Sequence, residues 1–162
     1  MNGPIKKILV YIDGTEESVT AAQYAICLSR ATRATLTCLY IVNTRALDDL
    51  LKSRIFLKAE QEEYRRDLET DADRYLNHVQ ELARQKGVAI ETVNVSGTVH
   101  QEIKKLIMER DIDLLVLGEL AHIRSRRDAF YDESERAMRH VPCSVLIVKD
   151  ADRVWELFEA QD

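Results

Sequence analysis

Five short apolar runs recur along the chain, and polar or turn-forming residues follow each of them. Continuous apolar runs are typical of strands that are buried on both faces, as in a parallel sheet. The third run alternates more with polar residues, which predicts a strand nearer to a sheet edge. The five predicted strands are Ile8–Ile12, Thr35–Val42, Val88–Val95, Asp113–Gly118 and Ser144–Val148.

The segments between these runs repeat small and apolar residues at helical spacing. Thr15 is a natural N-cap for the first helix, and Gly87 suits the C′ position after a long charged helix. Pro142 ends a short helix that runs through Ala137 to His140. The other predicted helices run from Thr15 to about Ala31, from Leu47 to Lys86, from Thr98 to about Arg110, and from Asp152 to Ala160.

Strands that alternate with helices predict an α/β fold, a doubly wound parallel sheet with helices on both faces. Five strands favour the order 3-2-1-4-5, in which the chain reverses between strands one and four. Ligands of such folds bind beyond the carboxyl ends of the two strands at the reversal. Here those ends are Asp13-Gly14 and Gly118-Glu119, so functional residues are expected there. We expect one domain over residues 1–150 and a helical tail over residues 151–162.

Composition narrows the class of protein. The chain has 162 residues and a net charge of −5, with 46% hydrophobic and 31% charged residues, which is typical of one globular domain. An acidic chain is an unfavourable nucleic-acid binder. No apolar run approaches the ~20 residues of a membrane span and no leader opens the chain, so we expect a cytoplasmic protein.

Cys27, Cys38 and Cys143 form no metal-binding or disulfide spacing, and the first two are expected to be small buried side chains.

Three segments carry a resemblance to a known family. They are Ile12-Asp13-Gly14-Thr15, Asp113 to Gly118, and the closing stretch from Ser134 through Pro142 to Val148. Together they resemble the universal stress protein family, and the likeness extends from about Ile5 to Lys149. The resemblance implies a Rossmann-like fold of the adenine-nucleotide alpha-hydrolase type and a role in stress response.

Nucleotide-binding members of this family carry G-x2-G-x9-G-[ST] after the fourth strand. Gly118 matches the first position, whereas Ala121, Tyr131 and Asp132 stand at the other three. Tyr131 places a ring where bare backbone would approach phosphate, and Asp132 adds a carboxylate there. A carboxylate ~4–5 Å from a triphosphate would cost about a few kcal/mol at an effective dielectric near 20. We therefore expect adenine-nucleotide binding to be lost or weak.

The residues expected to contact the purine and ribose match the family better than the phosphate motif does. The resemblance implies that Asp13 contacts the ribose and that Ile41 lies against adenine with Ile12 beside it. It also places Ser134, two residues after the end of the motif, among the positions that match the family's nucleotide site. Both isoleucines are also expected in a core whatever the function. An aspartate in a strand-to-helix turn can equally bind local N–H groups.

Three arginines, Arg124, Arg126 and Arg127, follow the fourth strand and have two interpretations. They pair with Asp128, Asp132 and Glu133 or are solvated, or they form an altered anion site, since guanidinium groups suit phosphate. The second interpretation gives the alternative function, an ATP- or AMP-binding switch that uses Asp13, Gly118 and these arginines.

The catalytic patterns of similar folds are missing from the sequence. Asp13 lacks the second acidic residue of a response-regulator receiver, and neither G-x-S-x-G nor G-x4-G-K-[ST] occurs. The four histidines show no ligand spacing. We expect no enzyme, no catalytic residues, no metal and no required cofactor, and slow ATP hydrolysis is a third, disfavoured possibility.

The fifth strand is expected at a sheet edge and is apolar from Val145 to Val148. Exposed edges of this kind tend to pair or to be covered. The resemblance implies a homodimer formed by antiparallel contact of this strand across a two-fold axis. The tail helix with Trp155 and Phe158 covers that edge, reaches over a neighbour, or packs on its own subunit. The preferred function is therefore non-catalytic, through dimerisation and binding of unidentified protein partners.

Overall fold

The computed structural model describes residues 3–43, 58–119 and 133–162. Five strands form one sheet in the order β3-β2-β1-β4-β5, and all neighbours are parallel. The predicted fold class and strand order are confirmed. The strands are β1 Lys7–Ile12, β2 Thr35–Asn43, β3 Ile90–Gly97, β4 Leu114–Gly118 and β5 Ser144–Val148.

Five helices of the described residues cover both faces of the sheet. Side chains of the first, second and fifth helices share one buried cluster with the sheet, and side chains of the third and fourth share the other. The helices are α1 Glu16–Thr32, α2 Lys58–Gln85, α3 Val99–Arg110, α4 Glu133–His140 and α5 Ala151–Glu159. The predicted beginning of the long helix at residue 47 lies outside the described residues.

The central strand explains the unbroken apolar runs of the sequence. Ile8, Val10 and Ile12 of β1 face the first cluster, whereas Leu9 and Tyr11 face the second. Successive side chains of a strand point to opposite faces, so a strand covered by helices on both sides needs apolar residues throughout. Each fully buried aliphatic side chain stabilises the fold by about 1.5–3 kcal/mol.

The third strand begins two residues later than predicted, at Ile90 rather than Val88. Val88 instead takes part in the hydrogen bonds that end α2. Its N–H donates to the Ala83 carbonyl at 2.9 Å, and the Gly87 N–H donates to the Arg84 carbonyl at 3.1 Å. Gly87 has a φ of +68°. These bonds form a Schellman motif, so Gly87 ends the helix as predicted. The strand also extends to Gly97, past the predicted Val95.

The tail helix α5 packs against α1 of its own chain. Phe158 and Val154 are buried, with 1% and 3% of their surface exposed, whereas Trp155 is 52% exposed. The Lys86 ammonium donates to the Gln161 carbonyl at 2.7 Å and lies 4.8 Å from the centre of the Phe158 ring. Packing on its own subunit, one of the expected arrangements, is the one observed. Of the helices in the described ranges, none has the length and apolar character to cross a membrane.

Candidate functional site

The chain reverses between β1 and β4, which are neighbours in the sheet with Val10 opposite Val116. Helix α1 leaves β1 toward one face, while α3, which precedes β4, lies on the other. Beyond these strands lie Asp13, Gly14, Gly118 and Glu119, which we call the carboxyl-end site. A crevice at this position is where doubly wound sheets bind ligands.

A local hydrogen-bond network holds the Asp13 carboxylate at the carboxyl-end site. Its Oδ1 accepts from the Thr15 N–H at 3.0 Å and from the Thr15 hydroxyl at 2.6 Å. Thr15 Oγ1 in turn accepts from the Ser18 N–H at 3.2 Å, which confirms Thr15 as the N-cap of α1. The Asp13 N–H donates to the Ser18 hydroxyl at 3.3 Å. Asp13 is exposed, but one of its two oxygens is already engaged within its own turn.

Gly118 is positioned by a close approach between β4 and the first turn of α1. A Cβ atom at this position would lie 2.5 Å from the Glu17 carbonyl oxygen and 2.9 Å from the Ser18 nitrogen. Both neighbours are backbone atoms, so no side-chain movement can relieve the overlap. Packing alone therefore requires glycine here, whether or not a phosphate binds.

Two tyrosines that were not among the predicted site residues border the carboxyl-end site. The ring of Tyr75, from α2, lies where a Cβ of Gly14 would be, with Cε2 at 2.7 Å, and Gly14 has a φ of +86°. Tyr75 stacks on Tyr40 of β2, with ring centres 6.0 Å apart. Burial, and to a lesser degree the Asp71 and Asp13 carboxylates, raise the pKa of Tyr40. The signal in the sequence was Gly14, two residues after the end of β1, because a glycine leaves room for a ring above its backbone.

The structure does not bring together the two isoleucines assigned to the purine. Ile12, 1% exposed, packs in the cluster with α1 and α2, whereas Ile41, 5% exposed, packs with α3 on the opposite face of the sheet. The two side chains therefore lie on opposite faces of the sheet, and their contact with adenine stays a prediction. The reason for the opposite faces is register, because Ile12 pairs with Tyr40 and the next residue along β2 faces the other way.

Ser134 is half-buried in the first turn of α4. This helix packs against α3, and the rings of His100 and His140 lie 6.4 Å apart between them. Three of the predicted site residues, Ala121, Tyr131 and Asp132, lie outside the described residues. The same holds for the arginines at positions 124, 126 and 127.

The described residues contain no group of three or more His, Cys, Asp or Glu side chains arranged to hold a metal ion. The three cysteines are free, and Cys27 and Cys38 are buried as predicted. Burial raises the pKa of the Cys38 thiol to about 12, so this thiol is protonated and unreactive at neutral pH.

The sequence and the fold were compared with known proteins. The model of the Universal stress protein family matches residues 4–149. Universal stress protein MJ0531 of Methanocaldococcus jannaschii is 27% identical over 146 residues, which cover 89% of this chain and 82% of that protein. The fold is similar to that of universal stress protein UspA from Lactobacillus plantarum, with a TM-score of 0.72, 22% identity, and coverage of 91% of this chain and 100% of that chain.

A second solved structure, a universal stress protein in complex with cAMP, has a TM-score of 0.68 and 19% identity, and the match covers 91% of this chain and 99% of that chain. These structural likenesses concern the fold. The family match begins just before β1 and ends just after β5, so it includes the whole sheet and both sides of the reversal. The chain therefore belongs to the universal stress protein family.

Proposed function

We propose that this protein is a non-catalytic member of its family that acts in stress response through dimerisation and protein binding, with adenine-nucleotide binding lost or weak. The observation that carries the proposal is the residue chemistry that follows β4. In register with Gly118, the chain places Tyr131 and Asp132 where a nucleotide site needs a glycine and a hydroxyl. A ring and a carboxylate both oppose a phosphate at that point.

The start of α4 adds to this unfavourable charge. A helix N-terminus attracts anions through its free N–H groups and its dipole. The helix begins at Glu133, and Asp132 precedes it directly in the sequence, so we expect their two carboxylates to compete with a phosphate for that end. A phosphate ~4–5 Å from one of them loses about 3–4 kcal/mol at an effective dielectric near 20.

The edge strand supports the dimer. In the described part of the chain β5 pairs with β4 on one side, and no strand covers its other side. Val145, Leu146 and Ile147 are only half-buried. A second copy related by a two-fold axis would pair the two edges and cover these side chains.

Restoration of the motif tests the loss of nucleotide binding. We expect the wild-type protein to bind ATP–Mg²⁺ more weakly than about 10 µM, or roughly −7 kcal/mol. The triple variant Ala121→Gly, Tyr131→Gly, Asp132→Ser should bind at least tenfold more tightly in isothermal titration calorimetry. Tighter wild-type binding than about 10 µM would overturn the proposal, and an unimproved triple variant would reject these three residues as the cause.

A second candidate is a switch regulated by an adenine nucleotide. The relative bound to cAMP favours it, because a nucleotide with one phosphate presents less charge to Asp132 than a triphosphate does. Arg124, Arg126 and Arg127 would then supply the positive charge. The same calorimetry with cAMP and AMP separates the candidates. Micromolar binding that is lost when the three arginines are replaced by glutamine would favour the switch.

A further inference from the structure

A cleft of about 900 Å³ lies at the amino ends of the strands, on the side of the sheet away from the carboxyl-end site. Its walls come from β1, β2 and β3 and from the ends of α1, α2 and α3. We call it the amino-end cleft. Its apolar lining consists of Ala34, Leu36, Val88, Ala89, Ile90 and Ile112. Sites for small organic ligands have this character, with volumes of ~300–1,000 Å³ and mostly apolar walls.

Positive charge surrounds this apolar lining, although the whole chain carries a net charge of −5. Lys7, Arg30, Arg33 and Arg110 line the cleft, against the single carboxylate of Glu91. Two of these cations have partners. The Arg110 guanidinium lies 2.6 Å from the Glu91 carboxylate, and the Lys7 ammonium donates to the Arg110 carbonyl at 3.2 Å.

The other two cations, Arg30 and Arg33, pair with no carboxylate of the described residues. Basic residues near the end of a helix also compensate its dipole, which presents about half a negative charge. The carboxyl-terminal ends of α1, α2 and α3 at the cleft together present about one and a half negative charges, so with Glu91 they offset fewer than three of the four cations. A positive surplus therefore remains at the mouth of the amino-end cleft.

Arg33 also has a backbone conformation that a side chain disfavours. It follows α1 with a φ of +60° and a ψ of +22°, in the left-handed region where glycine is the least strained residue. Its side chain lines the cleft. This strained backbone conformation directs the Arg33 guanidinium group to the cleft.

We propose that the amino-end cleft binds a small organic anion that has an apolar ring and a carboxylate or sulfonate group. The ring would lie on Val88, Ala89 and Ile90, and the anionic group would bind the guanidinium groups of Arg30 and Arg33. Planar guanidinium forks match such groups in geometry and charge. The amino-end cleft is separate from the nucleotide position after β4. A test of ligand binding in the cleft therefore does not depend on whether the proposed function is correct.

A fluorescent aromatic sulfonate, 8-anilinonaphthalene-1-sulfonate, is the probe of choice. We expect saturable binding to the folded protein, weakened roughly threefold or more by Arg33→Gly and further by Arg30→Gln. Arg33→Gly should raise the melting temperature at the same time, because it relieves the left-handed backbone. Weaker probe binding by a more stable protein excludes unfolding as the cause.

The matched control is Arg74→Gln, which removes an exposed guanidinium group of α2 near Tyr75, at the other end of the molecule. This variant should bind the probe as the wild type does. Naphthalene-1-carboxylate should displace the probe, whereas naphthalene-1-methanol, which has the ring without the charge, should not. The proposal is overturned if the probe does not bind, if Arg33→Gly and Arg30→Gln leave binding unchanged, or if the neutral alcohol displaces the probe equally well.

Discussion

At the scale of single residues, the carboxyl-end site is shaped by two glycines that the packing of their neighbours requires. Gly14 lies under the Tyr75 ring, and Gly118 lies against the backbone of Glu17 and Ser18. A side chain can move, but a helix backbone in a packed core cannot move without cost. A larger residue in place of Gly118 is therefore expected to disturb the packing more than the Tyr75 contact of Gly14 alone would.

Substitution of Gly118 by alanine tests this backbone contact. A Cβ atom 2.5 Å from the Glu17 carbonyl oxygen forces β4 and α1 apart, so we expect a loss of about 2–3 kcal/mol in the free energy of unfolding. Gly3→Ala is the control, because a Cβ atom at that position would have no neighbour within 4 Å. Urea denaturation measures both, and equal stabilities of the two variants would contradict the close approach.

The Cys38 thiol gives a pH dependence of a definite sign. Burial raises its pKa from 9.0 to about 12, so the folded protein keeps this proton where the unfolded chain loses it. The contribution to stability is complete below pH 9 and is lost between pH 9 and 12 at about 1.4 kcal/mol per pH unit. Cys38→Ala should flatten the decline measured by denaturation across that range. If the free energy of unfolding of Cys38→Ala falls with pH as steeply as that of the wild type, other groups cause the decline.

At the scale of elements, hydrophobic pattern was enough to locate all five strands. Helices on both faces leave the central strands without polar alternation, whereas the edge strand β3 alternates as predicted. Turn chemistry located the ends of helices at Thr15 and Gly87. The missed details depend on register and packing. The Schellman motif takes Val88 out of β3, and the pairing of Ile12 with Tyr40 puts Ile41 on the opposite face. The first is a local hydrogen-bond pattern whose extent past Gly87 the apolar pattern does not show, and the second joins two strands that are distant in sequence.

The tail helix offers a matched pair of aromatic residues. Phe158 is 1% exposed against α1, whereas Trp155, one turn earlier, is 52% exposed. We expect Phe158→Ala to lower the free energy of unfolding by about 3–4 kcal/mol and Trp155→Ala, whose ring is half exposed and stacks on Phe158, to lower it by only about 1 kcal/mol. Chemical denaturation compares them. Similar effects of the two substitutions would contradict the packing of α5 on its own subunit.

At the scale of the whole molecule, the two ends of the sheet present different chemistry. The carboxyl-end site holds an aspartate whose carboxylate is engaged by Thr15, while the amino-end cleft carries a surplus of guanidinium groups. The edge strand β5 lies between these ends and is free of other strands of the described chain on its outer side. The proposed ligand binding and the proposed self-association would therefore use separate surfaces of the molecule.

A charge on the edge strand tests self-association. We expect Ile147→Lys to convert the proposed dimer to a folded monomer, because a two-fold axis would bring the two new ammonium groups together in an apolar contact. Met108→Lys on α3, where the side chain is 62% exposed, should leave the dimer intact. Sedimentation velocity gives the mass and circular dichroism verifies the fold. A variant that stays dimeric would place the interface elsewhere.

The most direct test of the central claim is the native mass spectrum of the purified wild-type protein. The account predicts a dimer with twice the 18.7 kDa mass of the chain and no added mass of an adenine nucleotide. A spectrum in which each subunit carries a bound nucleotide would contradict the loss of the phosphate site, and a monomer would contradict the edge-strand dimer.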